Sequence, residues 1–137
     1  MPYAAIADLI TRYGEDELVQ LTDRAGAGVI DAAVAQRALA DADAEIDGYL
    51  AVRHTLPLDD VPPLLVRIAC DITRYRLWDD RASEEVRMRY EDARRVLEAI
   101  AAGRVTLGVT PPESPAGPRP SVRAGRSVFD ADNMAGW

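Results

Sequence analysis

The side chains best suited to chemistry in this sequence are four closely spaced acids: Asp41, Asp43, Glu45 and Asp47. Asp43 and Asp47 are four residues apart, so they share a face if the segment is helical. Together with Glu91 or Glu98 from another helix they could hold Mg²⁺, which prefers carboxylate oxygens. A metal-dependent, all-helical nucleotide pyrophosphohydrolase is therefore one hypothesis. The paired E-x-x-E and E-x-x-D motifs of such enzymes are missing from the sequence.

The residues for other kinds of catalysis are scarce. His54 is the only histidine and Cys70 the only cysteine, which excludes a multi-histidine metal site and an intrachain disulfide. The serines do not stand in a nucleophile-elbow pattern, and Cys70 has no neighbouring histidine. We expect His54 at a helix C-terminus and Cys70 in the core. The sequence predicts no catalytic residue, no metal site and no cofactor, and so no enzyme.

The net charge of -7 is concentrated in one part of the chain. Residues 1–60 carry -8, residues 61–110 carry +1, and residues 111–137 are neutral. An acidic domain is a poor ligand for DNA, because affinity for the phosphate backbone comes from Lys and Arg. No helix-turn-helix is evident, although a small regulatory binding module stays an alternative. A membrane span and an export signal are also missing, so we expect no membrane partner and a reducing, intracellular origin.

The four acids belong to the longest predicted helix, residues 31–53, which has no proline and one glycine. Asp31 is placed to cap its first turn, and Pro57 ends the helical region. One stripe is apolar at helical spacing and predicts a buried face: Ala35, Leu39, Ala42, Ile46, Tyr49 and Leu50. The remaining faces carry the acids. The pattern predicts a half-buried helix with an acidic outer surface.

Four further segments have helical periodicity: 4–13, 15–23, 64–78 and 83–102. Gly14 and Gly103 are placed to end two of them, and Ser83 to cap the last. In the segment 64–78, Arg67, Asp71 and Arg74 oppose an apolar stripe. The charges of the segment 83–102 predict a solvent-exposed face. Residues 1–110 are thus expected to form one all-α domain, a small bundle of about four to five helices, two of them long.

The remaining residues, 111–137, differ in composition. Five prolines stand within residues 111–120, which excludes a helix or a central strand there. We therefore expect an extended, flexible C-terminal arm. The tip of this arm again contains apolar side chains, namely Val128, Phe129, Met134 and Trp137. So short a segment cannot form a core of its own, so we predict that these side chains dock on another surface.

Several stretches in this order resemble the small head-to-tail connector, or adaptor, proteins of Mu-like prophages and related tailed phages. They are YAAIADLITRYGEDELVQLTD, ALADADAEIDGYLAVRHTLPL, CDITRYRLWDD, RYEDARRVLEAIAAGRVTL and SVFDADNMAGW. The combination A-D-A-x-x-E-I-D-x-Y-L, then R-x-x-L-P-L, is the most specific part. The chain has His54 where relatives often have Tyr, and Trp137 where Phe or Tyr is usual. The resemblance covers nearly the whole chain.

The resemblance implies a structural virion protein, made in the bacterial host cytoplasm and located at the head-tail interface. It implies an all-α homo-oligomeric ring of about a dozen copies under the portal protein. The other partners would be a downstream stopper or tail-completion protein and DNA that passes without specific binding. The arm would reach the portal or a neighbouring subunit, with Phe129 and Trp137 as anchors. We add the hypothesis that Asp41, Asp43 and Asp47 line the channel and repel DNA.

Overall fold

The computed structural model describes residues 2–107 of the 137-residue chain. These residues form five α-helices and one short 3-10 turn, without a strand. The helices are α1 (Ile6–Tyr13), α2 (Glu15–Thr22), α3 (Ala32–Leu50), α4 (Pro63–Trp78) and α5 (Glu84–Ala101), and the 3-10 turn (Asp79–Arg81) follows α4. The predicted all-α class is confirmed. The arm, 111–137, lies outside the described residues.

The predicted helix starts are confirmed by their hydrogen bonds. The Asp31 carboxylate accepts the amides of Ala33 and Val34 at 3.0 and 3.4 Å, and Ser83 accepts that of Val86 at 3.3 Å. Side-chain caps of this kind each contribute about 1 kcal/mol. Gly14, at φ 91°, separates α1 from α2 in a conformation that favours glycine.

The end of α3 differs from the prediction, because the helix stops at Leu50 rather than Arg53. The Arg53 side chain instead reaches the end of α5, where its Nε and Nη2 donate to the carbonyls of Ala101 and Ala102 at 3.0 and 3.2 Å. Gly103, at φ 81°, adopts a conformation that favours glycine, and a Cβ there would lie 2.7 Å from the Arg53 Cζ, so a larger residue would displace the arginine side chain. Arg53 thereby satisfies carbonyls that a helix end leaves unpaired.

Helices α3, α4 and α5 form the main bundle, and α1 and α2 pack across it. α3 and α5 run parallel, because Glu45 contacts Tyr90 and, further along both helices, Arg53 contacts Ala101. The predicted apolar stripes meet in one core. Its central members are at most 2 % exposed: Leu39, Ala42, Ile46, Leu50, Leu65, Ile68, Ala69, Ile72, Ala93, Leu97 and Ile100.

Cys70 is fully buried, as predicted, and burial raises the pKa of its thiol to about 11. The thiol therefore stays protonated at neutral pH.

None of the helices in the described range is long and apolar enough to cross a membrane.

Candidate functional site

Two of the four α3 acids hold the segment that precedes α1. The Tyr3 amide donates to Asp43 Oδ1 at 3.0 Å, and the Tyr3 hydroxyl donates to Asp47. The Tyr3 side chain is buried, and its burial, reinforced by Asp47, raises its pKa. Burial likewise raises the pKa of Asp43, against the opposing effect of the Tyr3 amide. Asp43 and Asp47 therefore anchor the N-terminal segment to α3.

A third acid joins all three helices of the bundle. Glu45 accepts hydrogen bonds from Arg76 Nη2 of α4 at 2.8 Å and from the Tyr90 hydroxyl of α5 at 3.0 Å. Burial and then the Glu45 charge raise the pKa of Tyr90. The ring of Tyr90 also stacks on that of Tyr75, with centroids 4.2 Å apart. Glu45 thus links α3 to both of its long neighbours.

The prediction of an acidic outer surface on α3 is accordingly wrong for three of the four acids. Only Asp41 is exposed; the other three are partly buried and bind other segments. The physical reason is that they lie at the borders of the helix's exposed side, where neighbouring segments pass. The prediction that Asp41, Asp43 and Asp47 line a channel is not tested by these contacts.

The arrangement behind the metal hypothesis is not formed. Within residues 2–107, no three His, Cys, Asp or Glu side chains lie close enough together to hold a metal ion. Glu91 and Glu98, the proposed partners, are exposed on α5. Asp43 and Asp47 instead accept hydrogen bonds from Tyr3, which uses the oxygens that a cation would need.

A polar seam joins α4 to α1 and α2. Asp71, only 5 % exposed, accepts from the Tyr13 hydroxyl at 2.8 Å. Arg74 donates to both carboxylate oxygens of Glu17 at 2.7 and 3.1 Å, and Trp78 Nε1 donates to the same carboxylate at 3.2 Å. Sequence reasoning assigned Asp71 and Arg74 to a polar face but missed that α1 and α2 cover it. No local signal marks these partners, which are more than fifty residues away in sequence.

The outer face of α5 is charged and exposed, as predicted, and its charged side chains pair with one another. Arg89 pairs with Glu85 at 3.0 Å, and Arg94 with Glu98 at 3.8 Å. Arg95 pairs with Asp92 at 2.7 Å. These side chains are about half exposed or more, so solvent screens the pairs and they contribute little to stability. The outer face of α5 is therefore suited to exposure to solvent.

The outer face of α3 is different. We define it as nine exposed residues: Ala33, Gln36, Arg37, Ala40, Asp41, Ala44, Gly48 and, just past the helix end, Ala51 and Val52. Only Arg37 and Asp41 among them are charged. Apart from the flanking residues and the backbone of α3 itself, no heavy atom lies within 4 Å of the position that a Cβ on Gly48 would take. This smooth, charge-poor surface is the candidate interaction site of the described residues.

The predicted docking residues of the arm, Val128, Phe129, Met134 and Trp137, lie outside the described residues. Their role therefore stays a prediction.

His54 follows the end of α3, and its backbone amide donates a hydrogen bond to the Leu50 carbonyl at 2.8 Å.

Comparison with known proteins gives consistent matches over most of the chain. The family described as "Bacteriophage Mu, Gp36" matches residues 3–124. The Mu-like prophage FluMu protein gp36 of Haemophilus influenzae is 43% identical over 108 residues, which cover 79% of this chain and 77% of that protein. Gene product J of Escherichia phage Mu is 43% identical over 110 residues, 80% of this chain and 78% of its own length.

Proposed function

Because the chain belongs to the Bacteriophage Mu Gp36 family of phage and prophage proteins, we propose that it is the head-tail connector of such a particle. In this role it forms a ring beneath the portal and joins the capsid to the tail while DNA passes through. The observation that carries the proposal beyond family membership is the outer face of α3. An exposed helix face with so few charges is suited to burial between subunits.

The architecture supports a structural role. Rings arise when one surface of a subunit binds a different surface of the next, and the rotation closes. The chain offers two such surfaces, the outer face of α3 and, in sequence, the apolar tip of the predicted arm. The long-range polar contacts of Tyr13, Glu45 and Arg74 connect the five helices to one another. We propose no catalytic activity and no cofactor.

The partners in this proposal are the portal protein, a tail-side stopper or tail-completion protein, and other copies of the chain. DNA is a passenger rather than a ligand, because the -8 charge of residues 1–60 opposes phosphate binding. Asp41, the most exposed of the three acids that we predict to line the channel, belongs to the outer face of α3, so it lines the channel only at an edge of that face that the neighbouring subunit leaves uncovered. Replacing Asp41, Asp43 and Asp47 together by Asn tests that prediction, and unchanged packaging and ejection would contradict it.

The proposal is tested by inactivating the gene in the phage or prophage that encodes it. We expect filled heads and complete tails that do not join, visible by electron microscopy of the lysate. Supplying the wild-type protein restores joined particles, and the Glu85→Ala variant, altered only on the outer face of α5, restores them equally. Joined, infectious particles made without the protein would overturn the proposal. A primary defect in DNA synthesis would do the same and would favour a nucleotide-hydrolase function.

A further inference from the structure

The outer face of α3 has the composition of a covered surface, yet no segment of residues 2–107 covers it. Val52 is 67% exposed, and five of the other eight residues of the face are alanines or Gly48, while Arg37 and Asp41 carry its only charges. A glycine inside a helix costs about 1 kcal/mol relative to alanine. Neither a positive φ nor a close contact within the described chain requires Gly48. Its missing side chain leaves room for a group that approaches from outside this fold.

A segment of matching chemistry is present in the same sequence. Residues 127–137 contain Val128, Phe129, Met134 and Trp137 among few other apolar groups. So short a segment cannot bury four such side chains against itself. Aromatic side chains dominate the energetics of interfaces because they bury a large apolar area, and a ring can lie close to the backbone on a surface without large side chains. Alanine and glycine on a helix provide such a surface.

The chain is long enough to bring the two together. The described residues end at Leu107, four residues after Gly103, which contacts Arg53 at the end of α3. The intervening segment 108–127 reaches up to about 70 Å at about 3.5 Å per residue. The 19 residues of α3 are about 28 Å long at 1.5 Å per residue. The tip can therefore reach a neighbouring copy.

We propose that residues 127–137 of one copy dock on the outer face of α3 of the next copy. The inference rests on the proposed ring and names the contact that closes it. A surface and a tip that differ from each other form a head-to-tail contact, which repeats around a ring. Docking on the same chain's own α3 would occupy both surfaces and leave neither for assembly.

The contact is tested with a fluorescent peptide of residues 126–137 and the full-length protein carrying Phe129→Ala and Trp137→Ala, which disables its own tip. We expect saturable binding by fluorescence anisotropy. Ala44→Arg, at the centre of the face, should weaken it at least tenfold, whereas Ala44→Ser should retain it. Met88→Arg is the matched control, because Met88 is an exposed apolar residue of α5. Circular dichroism checks that each variant is folded.

Absence of binding at protein concentrations up to about 1 mM, or equal binding by Ala44→Arg and wild-type faces, would overturn the inference. The assay contains no portal and no particle, so its failure leaves the connector function standing. Conversely, joined particles in the gene-inactivation experiment would refute the connector function, regardless of whether the peptide binds.

Cysteine cross-linking distinguishes neighbouring copies from the same chain. In a Cys70→Ala background, one protein carries Ala40→Cys and the other Ala135→Cys, and the two are mixed under mild oxidation. We expect a cross-linked dimer, since a disulfide forms only when the two Cα atoms come within about 7 Å. If a chain carrying both cysteines yields only an internally cross-linked monomer and the mixture yields no dimer, the neighbour contact is wrong.

Discussion

The two longest helices, α3 and α5, run parallel in one bundle and bury similar apolar stripes, but they use their charges differently. The exposed acids and arginines of α5, with the exception of Glu91, pair within α5 itself, three or four residues apart. Three of the four acids of α3 instead bind Tyr3, Arg76 and Tyr90 on other segments, and its outer face carries only two charged residues. The charges of α5 thus face solvent, whereas acids of α3 connect separate segments of the fold, and its outer face stays uncovered within residues 2–107.

The largest effect should come from breaking the α3 link at Glu45. Glu45→Ala removes the acceptor of both the Arg76 and Tyr90 hydrogen bonds, and bonds to a charged group contribute about 1.5–3 kcal/mol. Since Arg76 is partly exposed and can be rehydrated, we expect a loss of about 2 kcal/mol in the free energy of unfolding. Urea denaturation measures it. A change below about 0.5 kcal/mol would show that α3 and α5 use their acids alike.

Alkaline pH should weaken the anchor between Tyr3 and α3. The folded pKa of Tyr3 is raised, so the folded state keeps a proton that the unfolded state loses near pH 10. The stabilisation is therefore complete below about pH 10 and is lost as pH rises towards the folded pKa. The slope reaches about 1.4 kcal/mol per pH unit.

Tyr3→Phe should remove this share of the pH dependence, whereas other titrating groups, such as Tyr13 and Cys70, act equally in both proteins. Denaturation midpoints between pH 9 and pH 11 provide the comparison. Identical slopes for the wild type and the variant would contradict the role assigned to Tyr3.

The outer face of α3 should tolerate a methyl group in the isolated protein. Gly48→Ala adds a Cβ into open space and removes glycine's backbone entropy, so we expect a gain of about 0.5–1 kcal/mol. Thermal unfolding of the isolated chain measures the gain. A destabilised variant would mean that Gly48 serves the fold of the single chain, and not a contact made by its outer face.

The smallest effect should come from α5. Glu85→Ala removes an exposed pair with Arg89, and we expect a change of at most about 0.5 kcal/mol. Because it removes a glutamate as Glu45→Ala does, it is the matched control for that variant. A loss comparable to that of Glu45→Ala, measured in the same urea titration, would remove the distinction between the two helices.

Features that depend only on residues close together in the sequence, such as helix caps and apolar stripes, are predicted well. Asp31 and Ser83 cap helices as expected, and the stripe through Leu39, Ile46 and Leu50 is buried, because local periodicity determines both. The contacts of α3 were not predictable. Asp47 and its partner Tyr3 are 44 residues apart, and an acid that binds a distant tyrosine has the same local pattern as one in water. The outer face of α3 could not be predicted either, because its alanines are of the same residue type as those of the buried stripe. Only the exposure of each residue in the structure separates the two.

Co-purification of the chain with the portal protein of the same phage, followed by electron microscopy of the complex, is the decisive test of the connector function. We expect a ring of this protein capping the portal, with α3 at the contact between neighbouring copies. A protein that does not associate with the portal, and that hydrolyses nucleotides in the presence of Mg²⁺, would contradict it.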